Sequence, residues 1–160
     1  MEAFEHLYER HRAALYRYIL RKAGHPATAN DLFQGAWEKV IKARSKYRKN
    51  VPFRAWLYRI AHNHVVDYFR RARTAADVSP DGLQSAEPGP DSLAEMNARA
   101  GRLKIAIGQL PEEQEEVLML RLEGGLSIDE IATITCVNRE TAKSRLRYAT
   151  AKLKSKLEEI

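Results

Sequence analysis

The chain has 160 residues, a formal net charge of +6, 44% apolar and 30% charged residues, and one cysteine, Cys136. That length fits one ordinary domain or two small ones, and a single cysteine excludes both an internal disulfide and a cysteine-based zinc site. The excess of cations favours a polyanionic partner, most often nucleic acid, although a basic surface kept only for solubility has the same signature.

The opening stretch "MEAFEHLYERHRAALY" carries charges throughout and has no apolar core of the kind a signal peptide needs. No run approaches the roughly 20 apolar residues of a membrane span. With one cysteine, a reducing cytosol is the expected compartment. Phe4, Leu7, Leu15, Tyr18 and Ile19 predict a first helix that stops near Gly24–Pro26. Leu32, Phe33, Ala36, Trp37, Val40 and Ile41 predict a second. Pro52 suits the first turn of a third. Its apolar stripe is Phe53, Trp56, Leu57, Ile60, Ala61, Val65, Tyr68 and Phe69. Trp37 and Trp56 are expected as core or interface anchors.

Charge then changes abruptly. Residues 1–73 carry a net +10, residues 74–98 a net −5 with no cation, and residues 99–160 a net +1. The acidic part contains Pro80, Gly82, Pro88, Gly89 and Pro90, which interrupt helix and strand alike. Residues 75–92 therefore predict a flexible acidic linker between two helical modules, 1–74 and 93–160.

In the second module Leu93, Met96, Ala100, Leu103 and Ile107 predict one amphipathic helix. Pro111, Glu112 and Glu113 start the next, and Gly124 and Gly125 stop it. Ser127 with Glu130 three residues on forms a capping box, and Asn138 caps the final helix. Ala132, Cys136 and Val137 sit where a helix-turn-helix needs a small residue, a tight corner and an apolar plug. On the last helix Ala142, Leu146, Ala149, Leu153 and Leu157 predict the buried stripe. Arg139, Glu140, Lys143, Ser144, Arg147 and Tyr148, with Arg145 on the flank, are the candidates for contact with duplex DNA in a major groove. An ordinary solvated helix face is the plainer reading of any one of them. The fold class is all-α: two small helical domains on an acidic tether, the second a helix-turn-helix.

Three stretches in order carry a family resemblance: "NDLFQGAWEKVIKARSKY", "FRAWLYRIAHNHVVDYFRR" and "LSIDEIATITCVNRETAKSRLRYATAKLKSKL". The chain resembles bacterial RNA polymerase sigma factors of the extracytoplasmic-function group. The resemblance implies that residues 1–74 bind core polymerase through Asp31, Leu32 and Gln34 and melt the −10 promoter element. It implies that residues 93–160 read the −35 element, and that the acidic linker threads the polymerase's RNA-exit path. Core RNA polymerase, promoter DNA and an anti-sigma factor, membrane-bound ones included, are the implied partners, in the bacterial cytoplasm. No cofactor or metal is implied. Tyr47, Arg48, Lys49 and Asn50 lie in the stretch the family uses to capture a flipped base. Cations beside an aromatic ring suit single-stranded DNA on physical grounds too. Arg59, Asn63, Val66 and Arg70 lie away from the apolar stripe of the next helix and join them. Cys136 stands where the family often has Gly, and Ala142 where Val or Ile is usual.

Two other classes remain. A free-standing helix-turn-helix regulator explains the last third of the chain but not the Asp31–Gln34 stretch. A metallo-nuclease built on His62, His64 and Asp67 is weakened because residues two apart on a helix point to different faces.

Overall fold

The computed structural model describes residues 2–75 and 94–158, and all regular structure among them is helical. In chain order the elements are α1 (Glu2–Ala23), α2 (Pro26–Lys42), a 3-10 turn (Arg44–Lys46) and α3 (Phe53–Ala75), then α4 (Ala94–Gly108), α5 (Glu112–Leu122), α6 (Ile128–Thr135) and α7 (Arg139–Glu158). They form two compact units, one carrying α1, α2 and α3, the other α4 to α7. From residue 76 onward, the linker expected over 75–92 lies outside the described residues.

In the first unit α1, α2 and α3 all pack against one another. Gly24, at φ 82°, ends α1 in a conformation open to glycine, and Pro26 starts α2. The interior is built from Leu15, Tyr18, Ile19, Leu32, Val40, Leu57 and Val65, none more than 2% exposed. Burying such a side chain contributes about 1.5–3 kcal/mol, so this row dominates the stability of a three-helix unit. Trp37 anchors a second aromatic layer. Its ring lies 4.9 Å from Tyr8 and 5.9 Å from Phe4, both edge-on. The expected stripes include residues that are not covered: Ile41, which lies opposite Leu32 on α2 at 100° per residue, and Tyr68 stand 39% and 41% exposed.

In the second unit α7 is the hub and packs on α4, α5 and α6. Val117, Leu120, Leu126, Ile131, Ala142 and Ala149 have no exposed surface at all. Ile107 is buried as expected, but Leu103 and Leu157 are exposed. The buried stripe of α7 ends at Leu153, and on α4 the covered side chains are Ala106 and Ile107, followed by Leu110 after the helix. Leu93 and the side chain of Met96 lie outside the described residues. Among the described residues no helix is long and apolar enough to cross a membrane.

Candidate nucleic-acid interface

Both ends of α6 and the start of α7 are satisfied by capping interactions. The Ser127 Oγ accepts from the Glu130 N–H at 3.1 Å, and Glu130 accepts from the Ser127 N–H at 2.8 Å. Cys136 closes α6 at φ 59° and ψ 40°, a left-handed conformation, and the Val137 N–H donates back to the Ala132 carbonyl at 3.1 Å. Asn138 then caps α7, its Oδ1 accepting from the Thr141 N–H at 2.7 Å. Ala132 and Ala142 are both buried, so α6 and α7 approach without a large side chain between them.

This geometry leaves Arg139, Glu140, Lys143, Arg147 and Tyr148 exposed on α7, with Ser144 and Arg145 half-buried. The Arg147 guanidinium lies 5.4 Å from the Tyr148 ring centroid, a cation–π contact that aligns both on one face. Arg139 pairs with Asp129 at 3.4 Å across the corner. Both partners are exposed, so the pair adds little stability and serves chiefly to orient Arg139.

In the first unit the Tyr47 hydroxyl donates to the Val51 carbonyl at 2.7 Å. Its ring meets Trp56 at 4.9 Å and Phe53 at 5.8 Å. Tyr47 is therefore half-buried and shapes the loop, while Arg48, Lys49 and Asn50 stand exposed at its tip. Arg59, Asn63, Val66 and Arg70 form one exposed stripe on α3, with Arg70 held by Asp67 at 3.1 Å.

Spacing alone did not single out a cleft of about 370 Å³ beside this stripe. Lys39, Lys42 and Lys46 form one wall, Asn63 and His64 the other, and Ala43 and Ile60 lie between them. Gly35 makes room for the His64 ring: a Cβ there would meet its Nε2, so glycine lets the ring lie against α2. Burial holds the His64 pKa below its ordinary value. Lys39 and Arg71 act in the same direction, while Asp67 and Glu38 oppose them. His62 turns elsewhere, its Nδ1 at 3.2 Å from the Tyr18 hydroxyl, so the two histidines engage different helices.

On α2 Asp31 and Gln34 are exposed, but Leu32 is 2% exposed. The expectation of Leu32 as an outward anchor is corrected: at 100° per residue it faces the bundle, and its apolar contacts hold α2 in place. Asp31 lies in the body of α2, which starts at Pro26 behind the N-cap His25.

The family described as Sigma-70 region 2 matches residues 7–75, and Sigma-70, region 4 matches residues 106–155. The chain belongs to the sigma-70 family. Its relatives place it in the extracytoplasmic-function group: it is 36% identical to the ECF RNA polymerase sigma factor SigL of Mycobacterium tuberculosis, over 96% of this chain and 88% of that one. Among solved structures, CnrH in complex with the cytosolic domain of CnrY is 25% identical, covers 99% of this chain and 89% of its own, and has a TM-score of 0.68. The sigma factor RpoE in complex with the anti-sigma factor NepR from Bartonella quintana, at 23% identity, shares the fold with a TM-score of 0.76 over 99% of this chain and 98% of its own. This sigma factor directs promoter-specific transcription initiation. A free-standing regulator is the weaker account, because it leaves the region 2 match unexplained.

Proposed function

We propose that the sigma factor reads its promoter with two surfaces held on one tether. Lys143, Arg147 and Tyr148 of α7 contact the −35 duplex, with Arg139, Glu140, Ser144 and Arg145 around them. Arg48, Lys49 and Asn50, on the loop that Tyr47 shapes, capture the melted −10 strand, and Arg59, Asn63, Val66 and Arg70 extend that track along α3. The observation that carries this reading is the exposed cation-and-aromatic face of α7, standing on a helix-turn-helix whose corner is fully capped. Such side chains hydrogen-bond base edges and neutralise phosphates.

The domain limits follow as 1–74 for the first reader, 75–92 for the acidic linker and 93–160 for the second. Asp31 and Gln34 contact core polymerase, and Ile41 replaces Leu32 as the apolar member of that face. Ile41 is exposed and shares the outward side of α2 with them. The chain acts in the cytoplasm as a specificity subunit without catalytic groups of its own. By analogy with the anti-sigma complexes among its neighbours, an anti-sigma factor covers it when transcription is off.

Run-off transcription with core RNA polymerase tests the scheme. Asn50→Ala is expected to lower output from a duplex promoter and to recover on one pre-melted around −10. Asp31→Ala with Gln34→Ala is expected to lower core affinity at unchanged helicity, with excess protein restoring output. Undiminished polymerase affinity in that double variant sinks the core-binding assignment.

A further inference from the structure

The loop between α2 and α3 rests on rings from its own stretch of chain and on one ring from α1. Tyr47, Phe53 and Trp56 form a cluster, with centroids 4.9 Å apart for Tyr47–Trp56, 5.8 Å for Tyr47–Phe53 and 5.9 Å for Phe53–Trp56. The Tyr47 hydroxyl donates to the Val51 carbonyl at 2.7 Å, and the Val51 N–H to the Arg48 carbonyl at 3.1 Å. The fourth ring is His11, whose centroid lies 5.4 Å from that of Phe53 at an interplanar angle of 41°. His11 and the three rings of the cluster are all half-buried. An imidazole fits among them as an aromatic ring while it is neutral. Burial disfavours its charged form, and so do Arg10 on α1 and Arg54 on α3. Among the described residues these two arginines are the charges that act on it, while the neighbouring Arg12 pairs with Glu9 at 3.3 Å. The loop's own titratable group in the cluster, Tyr47, is engaged by Val51. An imidazolium is attracted to an aromatic face, but burial and both guanidiniums oppose it, and the His11 pKa is held below its ordinary 6.5.

We infer that His11 is a positioning residue for promoter opening: its neutral ring braces Phe53, and through Phe53 the Tyr47–Asn50 loop, in the conformation that captures the strand, and a proton on His11 releases that brace. The inference rests on the proposed role of the loop and deepens it. The imidazolium is better solvated away from Phe53 and farther from Arg10 and Arg54. Once it leaves, Phe53 keeps its contacts with Tyr47 and Trp56 but loses its tie to α1. The loop then samples more conformations, and only a fraction of them is competent to hold the strand.

The test is run-off transcription from a duplex promoter, with the full chain in holoenzyme, between about pH 8 and about pH 5.5. Wild type is compared with His11→Phe, which keeps a ring that cannot be protonated, and with His11→Gln, which has no ring. Dividing each output by that of His11→Phe at the same pH removes the pH dependence of core polymerase itself. His11→Gln is expected to lower output at every pH, and His11→Phe to restore it at about pH 8. The ratio of wild type to His11→Phe is expected to fall about twofold when the pH reaches the folded pKa of His11, where half the molecules carry the proton, and further below it. Hydrogen exchange of the amides of residues 47–53 reads the loop directly, because comparing two proteins at one pH cancels the intrinsic rates. Wild type and His11→Phe are expected to match at about pH 8, with faster exchange in wild type at about pH 5.5. A ratio of outputs that stays flat with pH overturns the inference, as does output from His11→Phe no higher than from His11→Gln at about pH 8. Exchange that does not differ at the lower pH overturns it too, since the loop is then not released. Asn50→Ala is read in parallel: unchanged output in that variant overturns the loop's role, whereas a flat ratio beside a clear Asn50→Ala defect overturns the part assigned to His11 alone.

Discussion

Cys136 holds a backbone conformation that side chains with a Cβ adopt at a cost, φ 59° and ψ 40°, at the corner of the helix-turn-helix. Its thiol is exposed, so replacing it removes no core packing. Cys136→Gly is expected to stabilise the second unit by about 1 kcal/mol, because left-handed geometry costs a residue with a Cβ roughly 1–2 kcal/mol and glycine's freedom in the unfolded chain returns part of that. Urea denaturation of the two proteins measures it. His64 makes a second residue-scale case. Its folded pKa lies below the ordinary 6.5, chiefly through burial and then through Lys39. The unfolded chain therefore binds the proton more readily, and stability rises with pH across the interval between the folded pKa and 6.5. The contribution is complete above 6.5 and lost as pH falls through the folded value. His11, depressed by burial, Arg10 and Arg54, acts in the same direction. The urea midpoint is expected to drop from pH 7 to pH 5, and His64→Gln to flatten that drop partly, leaving the share of His11. An unchanged pH slope in His64→Gln contradicts this account.

At the scale of elements, the α2–α3 contact depends on one missing Cβ. Gly35 lies inside α2, where alanine is normally favoured by about 1 kcal/mol. Here the added carbon meets the His64 ring, so Gly35→Ala is expected to destabilise by about 1–3 kcal/mol, as overpacking does. In a His64→Ala background the clash disappears and the same change is expected to stabilise. A double-mutant cycle in urea gives the coupling, and additive effects refute the contact. On α7, Arg147 is exposed beside Tyr148 while Arg145 is half-buried at the flank. Arg147→Ala is expected to cost roughly 1–3 kcal/mol and to relax preference at one base pair of the −35 element, as loss of a bidentate base contact does. Arg145→Ala is expected to weaken all sequences alike. Binding to a panel of single-base promoter variants separates the two, and an unchanged preference in Arg147→Ala reassigns that side chain to phosphate.

At the scale of the whole molecule, the two nucleic-acid surfaces proposed for the units gain specificity from being joined. A tether turns the second contact into an intramolecular event, with an effective concentration that falls roughly as the −3/2 power of its length. Lengthening the stretch between the units by about ten Gly and Ser residues is expected to lower initiation only about twofold if the stretch acts as a tether alone. A far larger loss, measured by run-off transcription at saturating core polymerase, means that its acids Asp77, Asp81, Glu87 and Asp91 make contacts of their own.

The helices, their caps and the corner at Cys136 were legible in the residues because each depends on neighbours within a turn or two. Apolar spacing marks a face, Ser127 and Asn138 satisfy nearby N–H groups, and Gly24 relieves a local backbone conformation. The exposed stripe of Arg59, Asn63, Val66 and Arg70 was legible for the same reason. Periodicity does not say which flank of a stripe a partner helix covers or how far it reaches, so Ile41, Tyr68, Leu103 and Leu157 were assigned to apolar stripes that leave them exposed. Nor did a short motif reveal that Leu32 faces inward while Asp31 and Gln34 face out. The cleft belongs to the tertiary structure alone. Its lysines come from α2 and the following turn, its amide and imidazole from α3, and the imidazole lies where Gly35 has no side chain. Local sequence sets which face a helix buries, but the distance between two helices is set by contacts between residues far apart in the chain, and that distance decides whether cations on one helix share a cleft with polar groups on another.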